Sequence, residues 1–366
     1  MVSGTRPEII KLAPVYHALR ETAWAGVQWL HTAQHDEMAR HTLHSFDVRP
    51  DINLRRPGSS LLDFSLACRE QLEQVMAQQP WSLVVVQGDT ESVFQGALAA
   101  FYNRVPLAHV EAGLRTYNLN GPFPEEGLRQ MISRVTRFHF APTARSRAAL
   151  LAEGIPDEHI HVTGNTVIDA QQWTRARYDV KRRVEGPGQL LVTVHRRENW
   201  GNDVAEICHA IAEIAGLFPA LQVLFPVHLN PVIQEPVHAI LGGCRNVRLL
   251  APLDYLAMQQ ALADAWLVLT DSGGLQEEAP TYGVPVLVLR DETERPEAIE
   301  AGCARIVGAR RRAIVDEVAR LWSDVEAMSR MRLAGNPFGD GQASRRIVET
   351  LAGHFAVSET GVSAVA

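Results

Sequence analysis

Cysteine is scarce and scattered: Cys68, Cys208, Cys244 and Cys303 are spread over 366 residues, with no Cys-x-x-Cys pair and no Cys/His spacing suited to a metal. This excludes a disulfide-built scaffold and suits reduced, buried thiols in a cytoplasmic protein. No apolar run is long enough to cross a bilayer, and the N-terminus lacks the basic-then-apolar pattern of a signal peptide, so no membrane partner is expected. Positive charge is also in deficit, with 35 Lys and Arg against 42 Asp and Glu and a net charge of -7. The basic residues are scattered through the chain and form no basic arm, which argues against a nucleic-acid partner. Low-complexity tracts and repeats of solenoid period are absent as well.

What is present is an ordinary globular composition, 46% hydrophobic and 21% charged, in a chain long enough for two domains with a core each. Short apolar runs alternate with amphipathic segments almost throughout. "GVQWLHTA", "SLVVVQ", "VPLAHV", "FHFAP" and "HIHVTG" come first, then "QLLVTV", "LQVLFPV", "NVRLL", "AWLVLTD", "VPVLVL" and "ARIVG". Runs without polar alternation are expected of parallel strands covered on both faces. The segments between them, such as Glu8 to Arg20 and Val204 to Leu217, carry helical periodicity. The reading is α/β, with βαβ units repeated in two doubly wound domains and a cleft between them.

The break "RVEGPGQ", Arg183 to Gln189, marks the seam, placing one domain at 1–183 and the second at 184–340. A C-terminal helix over 341–357 is expected to return to the first domain, and the small, polar residues 358–366 are expected to be a disordered tail.

Ligands of open parallel sheets bind beyond the carboxyl ends of the strands, so the residues after each run are the informative ones. They are "SGTRPEIIK", "GDTES", "EAGLRT", "TGNTVID", "HRREN", "HLNP" and "DSGGLQEE". Charged and glycine-rich groups at seven strand ends are more than chance would place together, and suit a binding site for something phosphorylated.

The segments "GTRPEIIKLAPV", "QGDT", "HVEAGLRT", "PFPEE", "TGNTVIDA", "VHRREN", "PVHLNP", "DSGGLQEEAP" and "LRDETERPEA" run in order from Gly4 to Ala298. Together they resemble the motif series of the non-hydrolysing UDP-N-acetylglucosamine 2-epimerases. The resemblance implies two Rossmann-like domains of the glycosyltransferase-B type. It also implies interconversion of UDP-N-acetylglucosamine and UDP-N-acetylmannosamine, for cell-surface polysaccharide precursors. UDP leaves by anti elimination to give 2-acetamidoglucal and is added back after carbon 2 is reprotonated on its other face. The partner so implied is a UDP-sugar, the cofactors none, neither nicotinamide nor metal, and the assembly a homodimer.

Carbon 2 carries a weakly acidic proton, so such a site needs carboxylates able to act as base and as acid. Asp89, Glu111 and Glu125 match the family's functional carboxylates. Taken singly, each would be read as a cap or a surface acid; the motif series changes that reading. His195, beside Arg196 and Arg197, matches the functional histidine, there to protonate or orient the departing diphosphate. Arg6, in the first βα turn, matches the family's diphosphate arginine, and Lys11 and Arg129 add to the positive lining. His228 follows the "LFPV" run. Ser272, Gly273 and Gly274 offer backbone N–H groups to a phosphate at a helix start. Glu278 matches the ribose acceptor, and Arg295 returns to the nucleotide.

The chain departs from the family in three places. Only "MVS" precedes "GTRPE", where a full first strand calls for several more apolar residues; either the true start lies upstream or the strand is truncated, and a truncated strand would destabilise the domain and misplace Arg6. Leu128 stands where Asn is common. A second, activating substrate site in some members uses a Gln-His-x-Gln segment and a helix arginine; here Gln34 and His35 are kept, with Glu37 and Ala67 at the other positions. Three alternatives remain open at this point: a 2-epimerase of a modified UDP-sugar such as a UDP-diacetamido-hexuronate, a glycosyltransferase of the same two-domain form, and a non-catalytic nucleotide-sugar binder.

Overall fold

The computed structural model describes residues 1–34, 37–58, 60–184, 188–196 and 200–356. His35, Arg197 and the expected tail 358–366 lie outside the described residues. The strands are β1 Val2–Ser3, β2 Leu30–His31, β3 Ile52–Asn53, β4 Val84–Gln87, β5 Leu107–Val110, β6 Phe138–Ala141 and β7 Ile160–Val162. They continue with β8 Gln189–Thr193, β9 Gln222–Pro226, β10 Val247–Leu250, β11 Ala265–Thr270, β12 Val286–Val288 and β13 Ala304–Ile306. Every pairing among them is parallel. Contacts divide the chain into two compact units, 1–173 with 339–366, and 174–338.

The second unit is one six-stranded sheet in the order β10-β9-β8-β11-β12-β13. The strand order reverses between β8 and β11, and this switch point is where a doubly wound sheet opens a crevice at its carboxyl edge. Leu190 and Val192 of β8 enter one core with Val223, Phe225, Leu267 and Leu269, under the helices Asn202–Leu217 and Arg311–Ser323. Leu191 between them enters the opposite core with Val268, Val286 and Val288, under the helix Tyr255–Asp264. Alternate residues of one strand are therefore buried on both faces, which is why the run "LLV" shows no polar alternation. Each such side chain contributes ~1.5–3 kcal/mol on burial.

In the first unit β1-β2-β3 and β4-β5-β6-β7 are separate ladders, and β1 lies against β4. Although β1 has two residues, its ladder to β2 is made: Leu30 N–H donates to Met1 O at 2.8 Å and Thr32 N–H to Ser3 O at 2.8 Å. Arg6 follows as the first residue of the helix Arg6–Arg20, in a capping box between Thr5 and Glu8. Gly4 is required between strand and helix, because a Cβ there would lie 1.9 Å from Ser92 Oγ and 2.2 Å from Thr32 Oγ1. Leu128 is a core residue packed with Ile132.

The chain passes from the first unit to the second within the helix Thr166–Tyr178, ahead of the seam read at Arg183 to Gln189. The reason is that residues 181–184 already bond to the second unit: Asp264 Oδ1 accepts from Arg183 N–H at 2.6 Å and Val184 N–H at 3.2 Å, and Gln260 donates to Lys181 O.

The helix Ala343–Phe355 belongs to the first unit, against the helix Arg6–Arg20. Asp169 holds its start, accepting from Ala343 N–H at 3.2 Å and Ser344 N–H at 2.8 Å. Asp169→Ala removes both acceptor contacts and is expected to lower the stability of this unit by about 1–2 kcal/mol, the cost of a lost helix cap, read by urea unfolding.

Cys68, Cys208 and Cys303 are buried and Cys244 half-buried, all as free thiols. Burial pushes the thiols of Cys68 and Cys208 up to about 12 and that of Cys303 to about 11.

Candidate active site

In the first unit the expected residues gather at the strand ends around β1, β4 and β5. Glu111 follows β5 and accepts hydrogen bonds from Lys11 Nζ, Gln87 Nε2 and, at 3.1 Å, Asn165 Nδ2. Its backbone is left-handed at φ 65°, a conformation that costs a residue with a Cβ about 1–3 kcal/mol and that the three donors hold in place. Asp89, just past β4, is half-buried and accepts from Arg129 Nη2 at 2.6 Å. The two acids therefore leave neighbouring strands, each against its own cation.

Glu125 opens the helix Glu125–Val135, one turn before Arg129, and is half-buried. Its neighbour Glu126 does a different job. Fully buried, it accepts from Thr116 and Tyr117 N–H and from Gln130. Burial opposes its charge, but those donors and Arg129 outweigh that and keep its carboxyl below the ordinary range. Of the adjacent pair, Glu125 is thus the one with an open carboxylate. Gln34 accepts from Ser92 N–H at 3.1 Å and Ser92 Oγ at 2.6 Å, while Ala67 lies on the helix Leu61–Met76.

In the second unit the expected groups meet at the β8/β11 switch point. Thr193 and Thr270, the last residues of those strands, hydrogen-bond at 2.6 Å. Asp271 then turns inward, fully buried, and takes His195 N–H, Arg196 N–H at 2.9 Å and the His195 ring Nδ1 at 2.9 Å. Burial works against its charge, yet the His195 ring and the two backbone donors outweigh it and hold the carboxyl below the carboxylate range. With Nδ1–H donated to Asp271, the other ring nitrogen of His195 is left for a ligand. The His228 ring lies 6.4 Å away, and its Nδ1 accepts from Asn230 N–H. Desolvation and the neighbouring His195 lower its pKa, so His228 is neutral near pH 7.

Ser272 caps the short helix Gly273–Glu278. Two guanidinium groups face Gly273: Arg196 Nη2 and Arg295 Nη2 each lie 3.6 Å from where a Cβ would be. Glu294 faces both of them and Arg290; burial raises its pKa, but the Arg290 hydrogen bond and the three charges bring it down to about 2. Arg295 is tied by Nε to the buried Glu277. Glu278, half-buried, accepts from Gln259 Nε2 at 2.6 Å, and Gln259 is fixed in turn by the Tyr282 hydroxyl at 2.9 Å.

Sequence reading did not pick out Asp271, Glu294, Gln87, Asn165 or Gln259. Asp271, Gln87 and Asn165 lie inside the motifs "DSGG", "QGDT" and "TGN", where their strand-end position was the signal. Gln259 sits within a helix and gave none.

Carboxylates paired with cations at the strand ends of one unit, and a glycine turn facing two guanidinium groups at the switch point of the other, suit a class of enzyme: a nucleotide-sugar enzyme of glycosyltransferase-B-like, two-unit form. The family model described as UDP-N-acetylglucosamine 2-epimerase matches residues 17–352. The chain is 45% identical to the Escherichia coli K12 UDP-N-acetylglucosamine 2-epimerase, over 96% of this chain and 97% of that one. The Neisseria meningitidis UDP-GlcNAc 2-epimerase bound to UDP-GlcNAc superposes with a TM-score of 0.88 at 39% identity, over 96% of this chain and 98% of that one. The UDP complex of Staphylococcus aureus MnaA gives 0.87 at 38% identity, over 100% and 98%. The chain belongs to the UDP-N-acetylglucosamine 2-epimerase family, whose members are isomerases.

Proposed function

We propose that this protein interconverts UDP-N-acetylglucosamine and UDP-N-acetylmannosamine by elimination and re-addition of UDP. A carboxylate takes the proton from carbon 2, the electron pair forms the carbon 1–carbon 2 double bond, and the carbon 1–oxygen bond breaks to release UDP. In the second half a carboxylic acid returns a proton to carbon 2 on the opposite face, and a diphosphate oxygen re-forms the bond at carbon 1. Each step moves a proton or the diphosphate and none transfers a hydride, so the route calls for no nicotinamide.

The observation that carries this reading is the pair Asp89 and Glu111 on adjacent strand ends, each against a cation, Arg129 and Lys11. A glycosyltransferase or a passive binder has no use for such a pair at this place. The second unit supplies the nucleotide groups: Arg196, Arg295 and the Ser272–Gly273–Gly274 turn for the diphosphate, Glu278 for the ribose, and His195, oriented by Asp271, for the leaving oxygen. Arg6 adds to the diphosphate contacts. We assign the protein to the cytoplasm as a homodimer, on its family and its reduced cysteines.

The test is incubation with UDP-N-acetylglucosamine in deuterated water. Deuterium is expected at carbon 2 of both epimers, with free UDP and 2-acetamidoglucal accumulating slowly. Product without label, or no product at all, sinks the reading.

A further inference from the structure

Asp89 stands in a turn held from two sides by buried groups that have no place in the binding set. Gly88 leaves β4 with φ +85°, a conformation suited to glycine, and its N–H still donates to Val110 O on β5 at 3.2 Å. The carbonyl of Gly88 is bonded to His109 Nε2, also on β5, at 2.7 Å. A carbonyl can only accept, so the proton is on Nε2. His109 is fully buried, and that burial pushes its imidazole down to about 3, leaving it neutral at any working pH. Its Nδ1 is buried without a hydrogen-bond partner. An unpaired buried nitrogen lowers stability, so what this histidine adds over an apolar residue is its single bond to Gly88.

On the far side of Asp89, Thr90 Oγ1 donates to Glu8 Oε1 at 2.6 Å. The same buried carboxylate takes Thr5 Oγ1 at 2.7 Å and the N–H groups of Gly4 at 2.6 Å and Thr5 at 3.3 Å. Glu8 thereby joins the turn after β1, which presents Arg6, to the turn after β4, which presents Asp89.

We propose that His109 and Glu8 are positioning residues that fix the Asp89 carboxylate from beneath, through Gly88 and Thr90, without touching substrate. The proposal rests on Asp89 being a working acid or base. A displacement of an ångström at such a group can lower turnover about a hundredfold while leaving binding alone, which gives the inference its readout.

His109→Phe keeps the ring and removes the donor; His109→Gln restores a donor at similar reach. Turnover and carbon-2 exchange are expected to fall about tenfold or more in the Phe variant, with KM and UDP affinity within about twofold, and to recover largely with Gln. Thr90→Val, which only cuts the link to Glu8, is expected to give the same split with a fall of several fold. In an Asp89→Asn background, His109→Phe should cost nothing further, because both act through one group. Wild-type turnover in His109→Phe overturns the proposal, as does a loss that persists in the Asp89→Asn background or a parallel loss of UDP affinity. Should His109→Phe fail to fold, Thr90→Val decides, and its unchanged turnover overturns the proposal. If Asp89→Asn alone exchanges at the wild-type rate, the reading of Asp89 falls and takes this one with it, an outcome told apart by that single variant.

Discussion

Conversion of Asp89, Glu111 or Glu125 to its amide is expected to slow carbon-2 exchange by at least about a hundredfold, the lower end for loss of an acid or base. The amide keeps size and removes proton-transfer capacity. The surroundings grade the accompanying structural cost. Glu111→Gln leaves the buried Lys11 ammonium without its carboxylate, so about 1–3 kcal/mol of stability should be lost with the activity. Asp89→Asn is milder, because Arg129 retains Glu126 at 3.3 Å. Glu125→Gln, at an open helix start, should leave stability unchanged. UDP affinity should barely move in any of the three. Exchange rate and UDP affinity measured together decide the matter: near wild-type exchange in all three makes the acids structural, and a collapse of both makes them organisers of the fold.

The second large effect is expected at the nucleotide. On the proposed reading Glu278 accepts from the ribose hydroxyls, so Glu278→Ala should weaken UDP binding by about 1.5–3 kcal/mol, roughly 10- to 150-fold. The side chain is already aimed by Gln259, itself bonded to the Tyr282 hydroxyl, so little ordering cost is left to binding. Gln259→Ala should therefore repeat part of the loss without touching the ligand. Calorimetry with UDP is the measurement, and an unchanged dissociation constant for Glu278→Ala removes that residue from the site.

Most strands were legible because parallel strands buried on both faces are continuous apolar runs, as "LLVT" and "WLVLT" show. Ile52–Asn53 was not, since an edge strand of two partly exposed residues leaves no run to read. The division into units was displaced because composition marks where a chain looks loose, whereas contacts mark where it changes partners. Val184 looks like linker and is bonded to Asp264.

Motif position put the proposed acids Asp89 and Glu111, and the proposed phosphate turn at Ser272, just past β4, β5 and β11. It chose Glu125 over Glu126 and Glu278 over Glu277 by family match and gave the neighbours no role. In the structure Glu126 accepts from Thr116 and Tyr117 N–H and Glu277 from Arg295 Nε, because the helix turns adjacent carboxylates to different surroundings. Asp271 was hidden for a related reason: a buried acid that aims a histidine reads in sequence like any polar residue ending a strand.

The thiols, finally, make the molecule its own reporter. Cys68 is in the first unit and Cys208 and Cys303 are in the second, all shielded and far from thiolate at neutral pH. An alkylating reagent applied to the native protein meets Cys244 first; each further mass increment records an opening of the unit that carries the modified cysteine. Counting increments against time, with and without UDP, resolves how firmly each half is held shut and which half the nucleotide braces, with no engineered label.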